Sequence, residues 1–205
     1  YGHPCQMEPI LNLAKKYGLY VLEDCAQAMG AEYDSKKVGS FGNVGAFSFF
    51  PTKNLGGYGD GGMILVNDEK LARLMKILRV HGSEKKYEHR YQGHNSRLDE
   101  LQAAILRVKL KCLSIWNENR RKNACLYNEL FTEVGLLKSE SGNGMISVPK
   151  EVRGCRHVYS LYTIRSSNRD RIAEGLQESG VNSGVYYPVP LHLQEVYREL
   201  GYKSG

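Results

Sequence analysis

The 205-residue sequence has no cysteine pair in C-x-x-C spacing, no apolar run long enough to cross a membrane and no dense basic tract. Each absence removes a class of function. Five cysteines, Cys5, Cys25, Cys112, Cys125 and Cys155, stand at irregular spacings and in odd number. That argues against a disulfide framework or a zinc site and for reduced thiols in the cytoplasm. No segment approaches the roughly 20 apolar residues of a spanning helix, and no secretory signal is visible, although the chain starts at Tyr1 rather than at methionine. The net charge is +6, but the basic residues are dispersed, so the excess suits anionic small molecules better than a nucleic acid. The densest cluster, Arg120, Arg121 and Lys122, lies on an expected helix and reads as a solvated face. Internal repeats and low-complexity segments are also lacking. With 41% hydrophobic and 24% charged residues, the chain has the makeup of a globular protein able to bury a core, in one domain or two small ones.

Glycine is plentiful, and five glycines crowd one loop. The stretch from Gly45 to Val66, GAFSFFPTKNLGGYGDGGMILV, joins an apolar run (Val44 to Phe50) to a second one (Met63 to Val66). Between them lie Pro51, Lys53 and Gly56, Gly57, Gly59, Gly61 and Gly62. The pattern predicts strand, lysine-bearing loop, strand. A lysine at the mouth of a buried strand is either solvated or a nucleophile, because burial favours the neutral amine. The spacing of Gly57, Gly59 and Gly62 also satisfies G-x-G-x-x-G. A dinucleotide fingerprint needs a helix after it, however, and here the β-like MILV follows.

Upstream, Pro4 to Lys16 carries Ile10, Leu11 and Ala14 at helical spacing and ends at Gly18. Leu19 to Leu22 then reads as a strand closed by Glu23 and Asp24. A helix followed by a strand is half of a parallel α/β unit, whose ligands gather at the carboxyl ends of strands. Asp24 stands at such an end, where it either caps the next turn, with Gln27 as a capping-box partner, or faces a ligand. Two adjacent parallel strands would bring Asp24, Gln27, Ser48 and Lys53 into one crevice. A carboxylate, an amine and phosphate donors in one place suit pyridoxal phosphate.

These residues carry a resemblance. VLEDCAQAMGAEY, GAFSFFPTKNLGGYGDGG, GHNSRLDELQAAIL and GVYYPVPLHLQ together resemble the DegT/DnrJ/StrS group of pyridoxal-phosphate nucleotide-sugar aminotransferases, in order and over nearly the whole chain. The resemblance implies an α/β fold: the carboxy-terminal part of a fold type I large domain (mostly parallel sheet with flanking helices) over 1-110, and a small α/β domain over 111-205. It implies that Lys53 forms the Schiff base and moves the proton, that Asp24 pairs with the pyridine nitrogen, that Gln27 lies beside the ring and that Ser48 binds the phosphate. Asn95 and Arg97 would reach into the site of a second subunit of a homodimer, Asn95 to phosphate and Arg97 to the substrate's acidic groups. Tyr186, Tyr187 and His192 would approach a nucleotide-linked keto-sugar, with glutamate as the amino donor. No membrane or nucleic-acid partner is implied. A dehydratase branch of the group carries histidine in place of the lysine, so Lys53 favours transamination. Met29 and Tyr186 stand where histidine is frequent in the group, which bears on sugar preference. The match corresponds to the carboxy-terminal half of a typical member. That leaves, as the alternative, a catalytically incomplete fragment or binding subunit.

The rest of the chain yields further expectations. Asp68 and Glu69 open a helix whose apolar face is Leu71, Leu74, Met75 and Leu78. Gly82 to Arg97 is polar, and its flanking and internal histidines, His81, His89 and His94, have no metal spacing. Asn95 could cap a helix beginning near Leu98. Leu98, Leu101, Ile105, Val108, Cys112 and Ile115 recur every three or four residues, predicting one long helix or two joined ones with that face in the core. Leu137 to Gly144 reads as a surface loop. The last third predicts βαβ: a strand over 157–164, a helix from Asn168 to Glu178 ended by Gly180, and a strand over Val181 to Tyr187.

Overall fold

The computed structural model describes residues 1–137 and 144–203. The expected loop from Leu137 to Gly144 lies mostly outside the described residues. In chain order the elements are α1 (Met7–Tyr17), β1 (Leu22–Asp24), β2 (Glu32–Tyr33), β3 (Lys36–Lys37), β4 (Val44–Ser48), β5 (Gly62–Val66), α2 (Glu69–Leu78), β6 (Ser83–Lys85) and β7 (Glu88–His89). Then follow α3 (Glu100–Leu110), α4 (Leu113–Glu133), β8 (Ile146–Ser147), β9 (Cys155–Arg156), β10 (Arg165–Ser166), α5 (Arg169–Glu178) and two short 3-10 helices, Leu191–Leu193 and Glu195–Leu200. They fall into two compact units, one of Tyr1–Glu133 with Pro149–Tyr162, the other of Val134–Val148 with Thr163–Gly205.

The first unit is built on a three-stranded sheet of order β1-β4-β5. β1 and β4 are parallel, with Asp24 opposite Ala46, so their carboxyl ends point the same way, as the sequence predicts. β5 returns antiparallel to β4, and the lysine loop is the connection between them. The helix before the sheet ends where expected: Gly18 adopts φ 63° and its N–H closes onto the Ala14 carbonyl. Asp68 caps α2 by accepting from the Leu71 N–H at 2.7 Å. The expected strand at Leu19 to Leu22 is displaced, however. Leu19 and Tyr20 are exposed, and pairing with β4 begins only at Leu22.

Two apolar clusters flank β4. Cys25, Ala31, Val38, Phe47 and Val158 form one, and Phe49, Leu55, Leu106 and Leu113 the other, with Met29 packed against both. The expected helical stretch is two helices, α3 and α4, but its buried face is not the predicted one. Leu101, Val108 and Ile115 are 72%, 68% and 63% exposed, while Leu106, Leu113, Asn117 and Ala124 are buried. Apolar periodicity locates a helix without saying which of two apolar stripes meets the core. Asn95 does not cap α3, because the helix starts one turn later, with Asp99 at its N-cap position.

The expected strand over 157–164 is also corrected. β9 covers only Cys155 and Arg156, pairing with β2, and the chain then packs between α4 and the first residues. The Val158 N–H donates to the Gly2 carbonyl at 3.0 Å and that of Leu161 to the Tyr1 carbonyl at 3.3 Å. Arg120 and Arg121 are what hold this segment, so they are not a solvated face. Arg120 Nη1 reaches the Tyr159 and Ser160 carbonyls, and Arg121 Nη1 bridges Glu151 Oε1 at 2.7 Å and the His157 carbonyl at 2.8 Å. Hydrogen bonds to arginine and to residues 1–2 take the place of a β ladder.

His157 is buried there. Its Nδ1 accepts from the Tyr159 N–H at 3.0 Å and its ring stacks on Tyr159 with centroids 3.8 Å apart. Burial pushes its pKa down to about 4, the neighbouring His3 adding to this and a bond to the Gly2 carbonyl opposing it. A base whose folded pKa lies below its unfolded value of about 6.5 takes up protons on unfolding between those two values. Its contribution is therefore complete above about pH 6.5, declines as the pH falls and is gone near pH 4. His157→Phe should flatten the slope of denaturant stability against pH between pH 4 and 6.5. An unchanged slope would contradict this assignment.

The second unit pairs β8 with β10 antiparallel, followed by α5. The predicted helix is present, ending at the expected place near Gly180. The strand expected over Val181 to Tyr187 is absent. The Val181 N–H closes back on the Leu176 carbonyl, and Val181 and Tyr187 are exposed, so no partner strand rewards the alternating pattern.

Candidate active site

Period-two alternation separates the two acidic residues of β1. Glu23 points inward and is buried, whereas Asp24 points outward at the strand's carboxyl end. Asp24 Oδ1 accepts from the Ala26 N–H at 3.0 Å, which fixes the carboxylate on the turn that follows. Gln27, half-buried, lies on the same turn. One strand over, Ser48 ends β4, and its Oγ accepts from the Phe50 N–H at 3.2 Å while retaining its own proton to donate.

Lys53 follows on the turn closed by its own N–H to the Phe50 carbonyl at 2.9 Å. It is half-buried, and its Nζ forms neither a hydrogen bond nor an ion pair among the described residues. β1 and β4 run parallel with Asp24 opposite Ala46, so Asp24 and Ser48 lie toward the same end of the sheet, and Lys53 stands on the loop that leaves β4 there.

The glycine loop is held from α3. The Tyr58 N–H donates to Gln102 Oε1 at 2.8 Å, and Lys109 Nζ reaches the Gly56 carbonyl. Gly56 is buried where the loop folds back over Pro51, and a Cβ there would strike the Pro51 carbonyl oxygen. Gly56→Ala should therefore shift the backbone beside Lys53, costing about 1–3 kcal/mol in a denaturant titration. A loss below about 0.5 kcal/mol would show that the loop has slack. After the loop comes β5 and not a helix, which removes the dinucleotide reading.

Other candidate residues stand apart. Asn95 Oδ1 accepts from Arg97 Nε at 3.0 Å, both are exposed, and neither bonds to Lys53, Asp24 or Ser48. Arg97 instead lines a hollow of about 680 Å³ with Phe47, Phe49, Asp60 and Arg79. Tyr186, Tyr187 and His192 belong to the second unit and are exposed, with the two tyrosine rings edge to face at 5.4 Å and His192 edge to face with Tyr202 at 5.9 Å. Among the described residues, no group of three or more His, Cys, Asp or Glu is arranged to hold a metal ion, and no helix is long and apolar enough to cross a membrane.

Residues 1–205 match the model of the DegT/DnrJ/EryC1/StrS aminotransferase family. The chain belongs to this family. A "Pleiotropic regulatory protein" of Geobacillus stearothermophilus is 51% identical over 205 residues, which is 100% of this chain and 53% of that protein. The UDP-N-acetyl-3-dehydro-alpha-D-glucosamine 3-aminotransferase of Acidithiobacillus ferrooxidans is 44% identical over 197 residues, 96% of this chain and 51% of its own length. The crystal structure of Streptomyces venezuelae DesV in complex with a ketimine intermediate superposes with a TM-score of 0.89 at 40% identity, covering 97% of this chain and 51% of that one. The fold is therefore that of the family's aminotransferases, and the chain spans about half the length of the relatives it matches.

Proposed function

We propose that this chain supplies the lysine-bearing half of the active site of a pyridoxal-phosphate-dependent aminotransferase. Its substrate is a nucleoside-diphosphate-linked keto-sugar and its amino donor is glutamate. The observation that carries the reading is the parallel alignment of β1 and β4, which places the Asp24 carboxylate, held by the Ala26 N–H, at one strand's carboxyl end and Lys53 on the loop leaving the next strand. The donor set fits the cofactor: Lys53 Nζ for the aldehyde, Asp24 for the ring nitrogen and Ser48 Oγ for the phosphate, joined there by the amide of Asn95 from a second copy. When bound, pyridoxal phosphate supplies an aldehyde that accepts an amino group and a ring that withdraws electrons from the carbon losing its proton.

The chain's own residues do the rest. Lys53 Nζ would hold the cofactor and would serve as the base that takes a proton from the donor's α-carbon and returns one to the acceptor. Asp24, held by Ala26 N–H, keeps a proton on the ring nitrogen by offering a negative charge to it. Gln27 flanks the ring. Arg97 and Asn95 serve the site of a second copy in a homodimer, which agrees with their pairing to each other and not to Lys53. Tyr186, Tyr187 and His192 offer rings and a ring nitrogen to the sugar nucleotide. The family names of relatives such as the Acidithiobacillus enzyme support the substrate class.

A second reading has an observation of its own. The chain covers half of its relatives, and both outer strands of the β1-β4-β5 sheet lack a further partner among the described residues, with Leu22 and Ile64 67% and 53% exposed. On that reading these residues keep the fold and need another segment to complete the site. Glutamate, supplied to the full-length protein with pyridoxal phosphate and a panel of nucleotide-linked keto-sugars, should yield 2-oxoglutarate and an amino-sugar together. Glutamate that leaves the cofactor spectrum unchanged would end the first reading.

A further inference from the structure

Two buried amides lie beneath the lysine loop, and neither belongs to the donor set above. Asn54 and Asn117 are 7% and 4% exposed, in a neighbourhood formed by Leu55, Leu113 and Met29. Asn54 Nδ2 donates to Asn117 Oδ1 at 2.7 Å and to the Val158 carbonyl at 3.1 Å. Asn117 Nδ2 in turn donates to the Met29 carbonyl at 3.0 Å. Four stretches distant in sequence meet through two side chains: the turn from Asp24 to Met29, the loop after Lys53, the first turns of α4 and the 157–160 segment. Gly30 makes room for this. It adopts φ +88°, and a Cβ on it would lie 2.6 Å from Asn117 Nδ2.

We infer that Asn117 and Asn54 are positioning residues that fix the Lys53 loop against the turn carrying Asp24 and Gln27, setting the spacing between amine and carboxylate. Asn54 is covalently next to Lys53, and Met29 is two residues beyond Gln27. Asn117 serves as both acceptor and donor, while Asn54 is a double donor whose own buried Oδ1 has no hydrogen-bond partner among the described residues. Leucine would fill the volume but leave the Met29 or Val158 carbonyl without a donor, which is costly inside a core. A hydrogen-bonded link is also directional, as apolar packing is not, so it specifies one spacing between the segments.

The inference rests on the proposed reaction for its functional meaning, but its test reads the chain itself. Backbone hydrogen exchange of the full-length protein is followed at Ala28 and Ala31 on one side and at Lys53 and Gly57 on the other, all of which donate within their turns. Asn117→Ala should speed exchange at all four at least tenfold while α1 and α2 keep their protection. Asn54→Ala should do the same, and the double variant should add little to either. Leu113→Ala is the control, a cavity on the same helix that should loosen the unit without singling out these turns. Asn117→Asp, nearly isosteric, keeps the acceptor for Asn54 but loses the donor to Met29, and should loosen Ala28 and Ala31 more than Lys53 and Gly57. In the cofactor-loaded protein, Asn117→Ala should lower borohydride trapping on Lys53 without abolishing it. Exchange that rises uniformly, matches Leu113→Ala or adds across the two asparagines would overturn the inference. Selective loosening in a protein that never takes up pyridoxal phosphate would leave the clamp standing and remove the reaction.

Discussion

Lys53→Ala is expected to leave the protein folded and to remove the proposed transamination. Loss of the proton-transferring amine alone is expected to lower turnover on the order of 10²–10⁴-fold, and loss of the covalent hold on the cofactor adds to that. Stability should change by less than about 0.5 kcal/mol, because the Lys53 side chain makes no hydrogen bond or ion pair among the described residues that its removal could break. The two readouts together discriminate. A lysine that served as a strut would show the reverse pattern, with activity falling only as far as stability does. Lys53→Arg keeps the positive charge but supplies no nucleophile at ordinary pH, and should be as inactive as alanine.

The second large effect falls one residue before Asp24 and concerns stability. Glu23 accepts three backbone N–H groups at 2.7 Å each, from Gly39 on one carboxylate oxygen and from Phe41 and Gly42 on the other. It is 7% exposed, so these donors have little access to water in its absence. Glu23→Ala should cost at least about 3 kcal/mol in a denaturant titration, since hydrogen bonds to charged groups contribute about 1.5–3 kcal/mol each and orphaned buried donors are costly. Glu23→Gln keeps one acceptor oxygen and should fall between. Asp24→Asn, on the exposed side of the same strand, should change stability little while impairing cofactor chemistry. Equal stability losses at 23 and 24 would contradict the division of labour that strand alternation imposes.

That pair also shows where the sequence is informative and where it is not. The dipeptide Glu23-Asp24 at a strand end marks a candidate site, and the parallel alignment of β1 with β4 meets the condition under which the sequence places Asp24 near the strand before Lys53. Which carboxylate faces the ligand depends on strand phase, and the strand is displaced from Leu19–Leu22 to Leu22–Asp24. Lys53 is legible because a charge between two apolar runs is conspicuous. Asn54 and Asn117 are not, since a buried amide and a surface amide look alike until the contacts over 63 residues are known. Arg120 and Arg121 mislead for the same reason: their partners are backbone carbonyls, which have no side-chain signature. The expected strands in the last third fail because alternation is rewarded only where a neighbouring strand accepts the pairing.

In the proposed reaction Lys53 is the amine that takes the cofactor. The most direct measurement is borohydride reduction of the full-length protein incubated with pyridoxal phosphate, followed by proteolysis and mass spectrometry of the peptides. One reduced pyridoxyl group should be added, on the peptide containing Lys53, and none in Lys53→Ala. Label spread over surface lysines, or label unchanged in the variant, would contradict it.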